Sequence, residues 1–266
     1  MLDYPTFKRL AGELTGVDLS NYKSPQMDRR INSLKQLWKI ETYDDFLAVL
    51  KTNPKRFQEF VKRLTINVSE FFRNPEHFVE FRTRFLPELL SKKATIRIWS
   101  AGCSNGAEPY SVAMIVNELG ARERVEIIAT DLDREVLNKA QYHPEYNLNE
   151  VRSVPADLLD KYFNLHKGVY HLNETIQKMV TFSMHDLLAD PFYTNLDLII
   201  CRNVVIYFTV DAKNYLYQKI HEALNPGGYF WVGCTEPLLN FRTLGFENPR
   251  SFFYKKPEAK LNMSLS

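Results

Sequence analysis

Apolar positions between Thr6 and Leu90 recur at helical spacing. Leu34, Leu37 and Trp38 mark one segment, and Phe57, Phe60, Val61 and Leu64 another, with the three-to-four-residue repeat of an amphipathic helix. The punctuation agrees. Asn53-Pro54 and Asn74-Pro75 each place a capping residue before a first-turn proline, and Thr42 with Asp45 resembles a capping box. Residues 1–66 are therefore expected to form a small all-α domain whose aromatic stripe is core, and residues 67–93 a linker and helix.

After Lys92-Lys93 the pattern changes. Short apolar runs at Ile96–Ser100, Val125–Thr130, Leu196–Cys201 and Tyr229–Val232 alternate with helix-length segments, which predicts an α/β domain over 94–266 with right-handed crossovers and a largely parallel sheet. Asn225-Pro226-Gly227-Gly228 breaks the chain before the Tyr229 strand. The β-rich runs Val169–Leu172 and Met179–Phe182 predict a hairpin inserted near 167–183. The tail after Pro257 reads as disordered.

Composition adds bounds. The chain of 266 residues is 45% hydrophobic and carries a net charge of +2, ordinary values for a folded chain of this length. Residues 1–93 hold 17 Lys and Arg against 12 Asp and Glu, and the remainder 17 against 20. That basic first third suits an acidic partner surface or is an ordinary solvated helix face. It is too weak a signal for nucleic acid. Cys103, Cys201 and Cys234 lie far apart and the six histidines lack ligand spacing, so neither disulfides nor a metal site is expected. Met1–Pro5 shows no basic start leading into an apolar stretch, and no run approaches the roughly 18 apolar residues of a membrane span. The expectation is a cytoplasmic protein with no membrane insertion.

The densest chemistry lies in Arg97–Glu108, followed after a helix-length gap by Ile127–Asp131. Strand, small-residue loop, helix and a second strand ending on an acid is how a doubly wound sheet builds a nucleoside pocket. Gly102 and Gly106 bracket Cys103-Ser104-Asn105; this is either a tight turn without a ligand or a backbone passing close to one. Serine at 104 breaks the dinucleotide fingerprint, and the phosphate-loop GK[ST] is missing. An adenosine-containing cofactor fits better. Asp131 is placed either to accept both ribose hydroxyls or to cap a helix. Asp186 could accept from an adenine amino group with Leu187 against the ring, or be a plain loop acid. Arg202 and Asn203 follow the buried strand Leu198–Cys201. Four such loops are expected on one sheet edge.

Four segments carry a resemblance to a known family: Asn67-Val68-Ser69-Glu70-Phe71-Phe72-Arg73, the glycine loop with Glu108-Pro109-Tyr110-Ser111, Ala129–Asp133, and Cys201-Arg202-Asn203-Val204-Val205-Ile206-Tyr207-Phe208. In this order, over nearly the whole chain, they resemble the CheR-type chemotaxis receptor glutamate methyltransferases. The resemblance implies a class I S-adenosylmethionine-dependent methyltransferase sheet domain with a small antiparallel β insertion, preceded by an all-α domain. It also implies transfer of the donor methyl to glutamates on the cytoplasmic helices of chemotaxis receptors, with S-adenosylhomocysteine as product. Asn67, Ser69, Arg73, Gly102, Glu108, Asp131, Asp186, Leu187, Arg202 and Asn203 would then surround the cofactor. Glu108 would face its ammonium and Tyr207 would lie near the transferred methyl. Arg73 and Tyr207 are the expected catalytic pair, with Arg73 orienting a carboxylate.

Arg29, Arg30 and Lys35, on or beside one turn of the helix after Pro25, are expected to meet the acidic receptor helices. In the family, tethering to a peptide at the receptor's carboxyl terminus uses a glycine-bearing extension of the insertion. Here Lys167-Gly168-Val169-Tyr170-His171 offers one glycine, so recognition independent of a receptor-tail pentapeptide is expected, by a monomer. Two other readings share these pocket residues: a catalytically silent cofactor-binding module, and a methyltransferase for another protein or a small molecule.

Overall fold

The computed structural model describes residues 1–64 and 69–258. Asn67 and the end of the tail expected to be disordered lie outside these. The chain divides into two compact units: residues 1–67 with 204–215, and residues 68–203 with 216–266.

The described residues of the first unit are built chiefly on the helices α1 Tyr4–Thr15, α2 Ser24–Leu37, α3 Tyr43–Thr52 and α4 Pro54–Leu64. Local chemistry sets their starts. Asp3 accepts the Thr6 N–H at 2.9 Å, the Thr42 hydroxyl accepts the Asp45 N–H at 3.1 Å, and Asn53 accepts the Arg56 N–H at 3.2 Å. The apolar faces meet in an aromatic core, with the Phe7 and Phe46 rings 4.9 Å apart and Phe60 edge-on to Phe46 at 5.8 Å. Leu37, expected in the stripe, is exposed at the end of α2. Residues 204–215 join this unit: Thr209 donates to the Asn21 carbonyl and Lys23 to the Tyr207 carbonyl, each at 2.8 Å, and the Tyr22 and Phe208 rings meet edge to face.

Among the described residues the second unit holds ten strands: β1 Ile96–Ala101, β2 Val125–Asp131, β3 Glu145–Tyr146, β4 Phe163–His166, β5 Val169–Leu172, β6 Val180–Met184, β7 Leu196–Cys201, β8 Leu224–Val232, β9 Glu247–Arg250 and β10 Phe253–Lys255. Seven form one sheet in the order β6-β2-β1-β7-β8-β10-β9. The first five run parallel, and β10 and β9 close the edge antiparallel. Helices and aromatic side chains cover it: Phe81 stacks on Trp231, and Phe85 on Phe253 at 4.0 Å.

Two expectations change. The hairpin pairs β4 with β5 across Lys167-Gly168, and β3 completes a three-stranded antiparallel sheet; the run near 179–182 instead belongs to β6, parallel to β2. The physical reason is turn length. Lys167 and Gly168 both have positive φ, the left-handed pair that closes a two-residue hairpin, whereas Asn173 caps a short helix, Glu174–Gln177, that separates β5 from β6. The second change is at Asn225–Gly228, which forms an irregularity within β8 rather than a turn before it.

Candidate cofactor site at the carboxyl edge of the sheet

Parallel pairing brings the ends of β1, β2, β6 and β7 to one edge: Ala101 is level with Thr130, and Asp131 with Met184. In such sheets ligands bind outside the carboxyl ends of the strands. The loop after β1 is held by its own backbone, as Gly102 and Cys103 both donate to the Thr130 carbonyl, at 2.8 and 2.9 Å. Gly106 enters the helix Ala107–Glu118 at a φ of +85°, where an added Cβ would lie 2.9 Å from Tyr110 and 3.0 Å from Ala140. Glycine is required there on both counts.

Asp131, at the end of β2, is buried. Its Oδ2 accepts the Ser104 N–H at 2.8 Å and its Oδ1 the Asp133 N–H at 3.0 Å. Asp133, not Asp131, caps the following helix. Burial pushes the Asp131 carboxyl above its ordinary pKa despite these bonds. One N–H on each oxygen leaves lone pairs for two further donors. Beside them, the Ser104 hydroxyl is buried with no hydrogen-bond partner among the described residues.

Glu108, in the first turn of that helix, accepts from the Ser100 hydroxyl at 2.8 Å and pairs with Arg202 at 3.5 Å. Burial nonetheless raises its pKa. The Arg202 side chain is 2% exposed. Its guanidinium lies over Trp231 and Phe78, 5.0 and 5.5 Å from the ring centres, and donates to the Arg73 carbonyl at 2.7 Å and the Asn74 side chain at 2.9 Å. Asn74 therefore does not cap its helix; its side-chain oxygen is taken by Arg202, and the backbone sits at a φ of +61°. Phe72, on the other side of Arg73, has a φ of +52° and donates its N–H to Ser111 Oγ at 3.0 Å. Two unfavourable conformations thus flank the half-buried Arg73, each held by a buried partner. Asp186 accepts the Leu188 N–H at 2.8 Å, its carboxyl raised by burial, and Leu187 is buried beside it. Ser69 is half-buried.

Residues 67–248 match the family described as "CheR methyltransferase, SAM binding domain", and residues 2–65 the one described as "CheR methyltransferase, all-alpha domain". The chain belongs to the CheR methyltransferase family. It is similar to the "Chemotaxis protein methyltransferase" of Listeria monocytogenes, 37% identical over 255 residues that span 96% of this chain and 97% of that protein. The protein of the same name in Borreliella burgdorferi is 33% identical over 257 residues, 91% of this chain and 89% of the relative. "Chemotaxis protein methyltransferase 1" of Pseudomonas aeruginosa is 32% identical over 251 residues, 90% and 91%.

This CheR methyltransferase uses S-adenosylmethionine as its cofactor, and the edge just described fits it: acceptors remain at Asp131, a hydroxyl at Ser104 without a partner among the described residues, and a largely buried carboxylate at Glu108. Gly102, Glu108, Asp131, Asp186, Leu187, Arg202 and Asn203 all occupy that edge, although Arg202 is engaged chiefly with Arg73, Asn74 and Glu108. Arg29, Arg30, Lys35 and Tyr207 belong to the helical unit. There Arg29 is exposed. Arg30 is half-buried, 4.8 Å over the Tyr207 ring and donating to the Leu64 carbonyl at 3.1 Å. Lys35 donates to the Glu41 carbonyl at 2.6 Å and lies over Tyr43.

Two features had no signal in the sequence. Glu236 is a buried carboxylate whose Oε2 accepts the Asn203 N–H. Among the described residues, Glu76, His77 and Cys234 bring potential metal-binding atoms within 4.8 Å of one another. Burial and the nearby Arg202 charge lower the His77 pKa, so the surroundings resist added positive charge.

Proposed function

We propose that the protein transfers the methyl group of S-adenosylmethionine to glutamate side chains on the cytoplasmic helices of chemotaxis receptors, forming methyl esters. One observation carries this reading: both halves of the chain match CheR methyltransferase domains, with near full-length similarity to proteins named for chemotaxis. When bound, the donor supplies an electrophilic methyl on a sulfonium.

The chain's own task is then placement. A glutamate acceptor, with an ordinary pKa of about 4.3, is already an anion at neutral pH, so no general base is required. Opposite charges disappear toward the transition state, so orientation and exclusion of water outweigh proton transfer. Asp131 holds the ribose, Glu108 the ammonium, and Asp186 with Leu187 the adenine. Arg73 orients the non-attacking oxygen of a carboxylate, because a contact to the attacking oxygen would weaken the nucleophile. Arg29 offers an exposed charge to the receptor. The two-residue Lys167-Gly168 turn carries no added glycine-bearing extension, which supports receptor recognition without a carboxyl-terminal tether.

The test is incubation with radiolabelled donor and receptor-rich membranes, followed by mass spectrometry of labelled peptides. Base-labile label on receptor glutamates is expected, and label on other side chains or on small molecules alone refutes the reading. Tail-truncated receptors should be methylated at an undiminished rate. Micromolar binding of a free receptor-tail pentapeptide to residues 163–172 would refute tether independence.

A further inference from the structure

The turn after β8 is packed against the end of β7 by a contact that the cofactor assignments leave unexplained. Asn203 has a φ of +62°, a left-handed conformation that asparagine tolerates better than most L-residues but that still gains from a partner holding it. The Glu236 carboxylate, 4% exposed, accepts the Asn203 N–H. A charge-assisted bond to a part-buried N–H is strong enough to outweigh the backbone preference. Glu236 is itself fixed, as its own N–H donates to the Gly233 carbonyl at 3.0 Å.

Gly233 makes the approach feasible. A Cβ there would lie 2.6 Å from Glu236 Oε2, 3.0 Å from Asn203 N and 3.4 Å from Asn203 Nδ2. Only a residue without a side chain lets the carboxylate, the N–H and the Asn203 amide close on one another. Burial disfavours the charged form of Arg202, and the charge of Glu108, with a smaller contribution from Glu236, partly offsets it.

We propose that Glu236 is a positioning residue for methyl transfer: by accepting the Asn203 N–H it fixes the turn at the carboxyl end of β7 that presents Asn203 to the cofactor. The proposal rests on the assignment of Asn203 to the cofactor pocket made above. A plain structural strap between two strands would lower the melting temperature when cut but leave the cofactor affinity of the folded protein unchanged.

Calorimetric titration of the full chain with S-adenosylhomocysteine, alongside melting curves, separates the two. Glu236→Ala should raise the Kd about 10-fold at unchanged stoichiometry. Glu236→Gln, whose amide oxygen can still take the N–H, should stay within about 3-fold of the wild type. Gly233→Ala keeps the carboxylate but pries the pair apart, and should weaken binding as Glu236→Ala does. Unchanged Kd in Glu236→Ala and Gly233→Ala, with lowered melting temperature alone, overturns the proposal; so does a Glu236→Gln protein as weak as Glu236→Ala. Asn203→Ala separates the underlying assignment: if it binds normally, Asn203 does not serve the pocket and both readings fall. If it binds weakly while Glu236→Ala binds normally, only the positioning role falls.

Discussion

Replacing Asp131 with alanine perturbs two balances that the structure allows to be weighed separately. In the unliganded protein the change deletes the acceptors of two N–H groups, those of Ser104 at 2.8 Å and Asp133 at 3.0 Å. An unsatisfied buried donor costs about 1 to 3 kcal/mol. Against that, folding no longer desolvates a carboxylate, and the raised pKa of Asp131 shows that its two bonds do not fully compensate burial. For such a group ionisation is harder in the fold than in the unfolded chain, so its contribution to stability declines as pH rises through the ordinary value of 3.8 toward the elevated folded one. With two donors the loss is at most about 6 kcal/mol, and the relief of desolvation brings it below that. If Asp131 holds the ribose as proposed, the variant also loses the acceptor for both hydroxyls in the complex, with nothing to offset it. A loss of about 1 to 3 kcal/mol corresponds to a roughly 5- to 150-fold rise in Kd. Calorimetry with S-adenosylhomocysteine measures the second quantity and urea unfolding the first. Asp131→Asn, which keeps one acceptor, should fall between the alanine variant and the wild type. A Kd for Asp131→Ala within twofold of the wild type would refute the ribose assignment. A loss of stability above about 6 kcal/mol would instead mean that the loop after β1 had collapsed.

Other outcomes follow from single sites. Glu88 is partly buried, but bonds from Tyr229, Lys255 and Lys92 outweigh burial and hold its pKa at about 2, below the ordinary 4.5. Its stabilisation is therefore complete above pH 4.5 and lost as pH falls toward 2; Glu88→Gln should flatten the unfolding free energy over that range, and equal slopes would refute it. Gly106→Ala should lower stability by about 1 to 2 kcal/mol for the left-handed backbone alone, with more from the contacts at 2.9 and 3.0 Å, and an unchanged melting temperature would contradict it. Arg29→Ala should raise the receptor KM with cofactor Kd unchanged, more at low salt than high. Arg30→Ala should also lower the melting temperature, because it removes the donor to Leu64 and the cation over Tyr207; a normal KM for both variants would remove the helical unit's charges from receptor capture.

The elements that carry local signals were legible in the sequence. Strand, small-residue loop and helix from Ile96 to Glu118 are written in apolar runs and glycines, and Thr42 and Asn53 cap where they were expected to. Partner choice was not legible. Val169–Leu172 and the run near 179–182 are equally β-prone, and nothing in their periodicity tells an antiparallel hairpin from a strand crossing to a distant edge. Phe163–His166 was hidden because it directly follows the helix Ala156–Tyr162. Asn74 shows the limit of capping rules: its side chain has the right chemistry, but a buried arginine 128 residues away competes for the same oxygen. Glu236 and Cys234 were invisible for the same reason, since their partners are brought close only by the fold.

The allocation of residues 204–215 to the helical unit bears on how this enzyme could be dissected or recombined. The polypeptide passes from the second unit to the first after Asn203, bonds to Asn21 and Lys23 through Thr209 and Tyr207, and rejoins the second unit at Leu216. A truncation at residue 66 would therefore strip that excursion of its partners immediately downstream of Arg202 and Asn203. Lost methylation in such a fragment could not be attributed to lost receptor capture alone. A chimera designed to exchange substrate preference between relatives should transplant 204–215 together with the amino-terminal helices, as one cassette in two pieces.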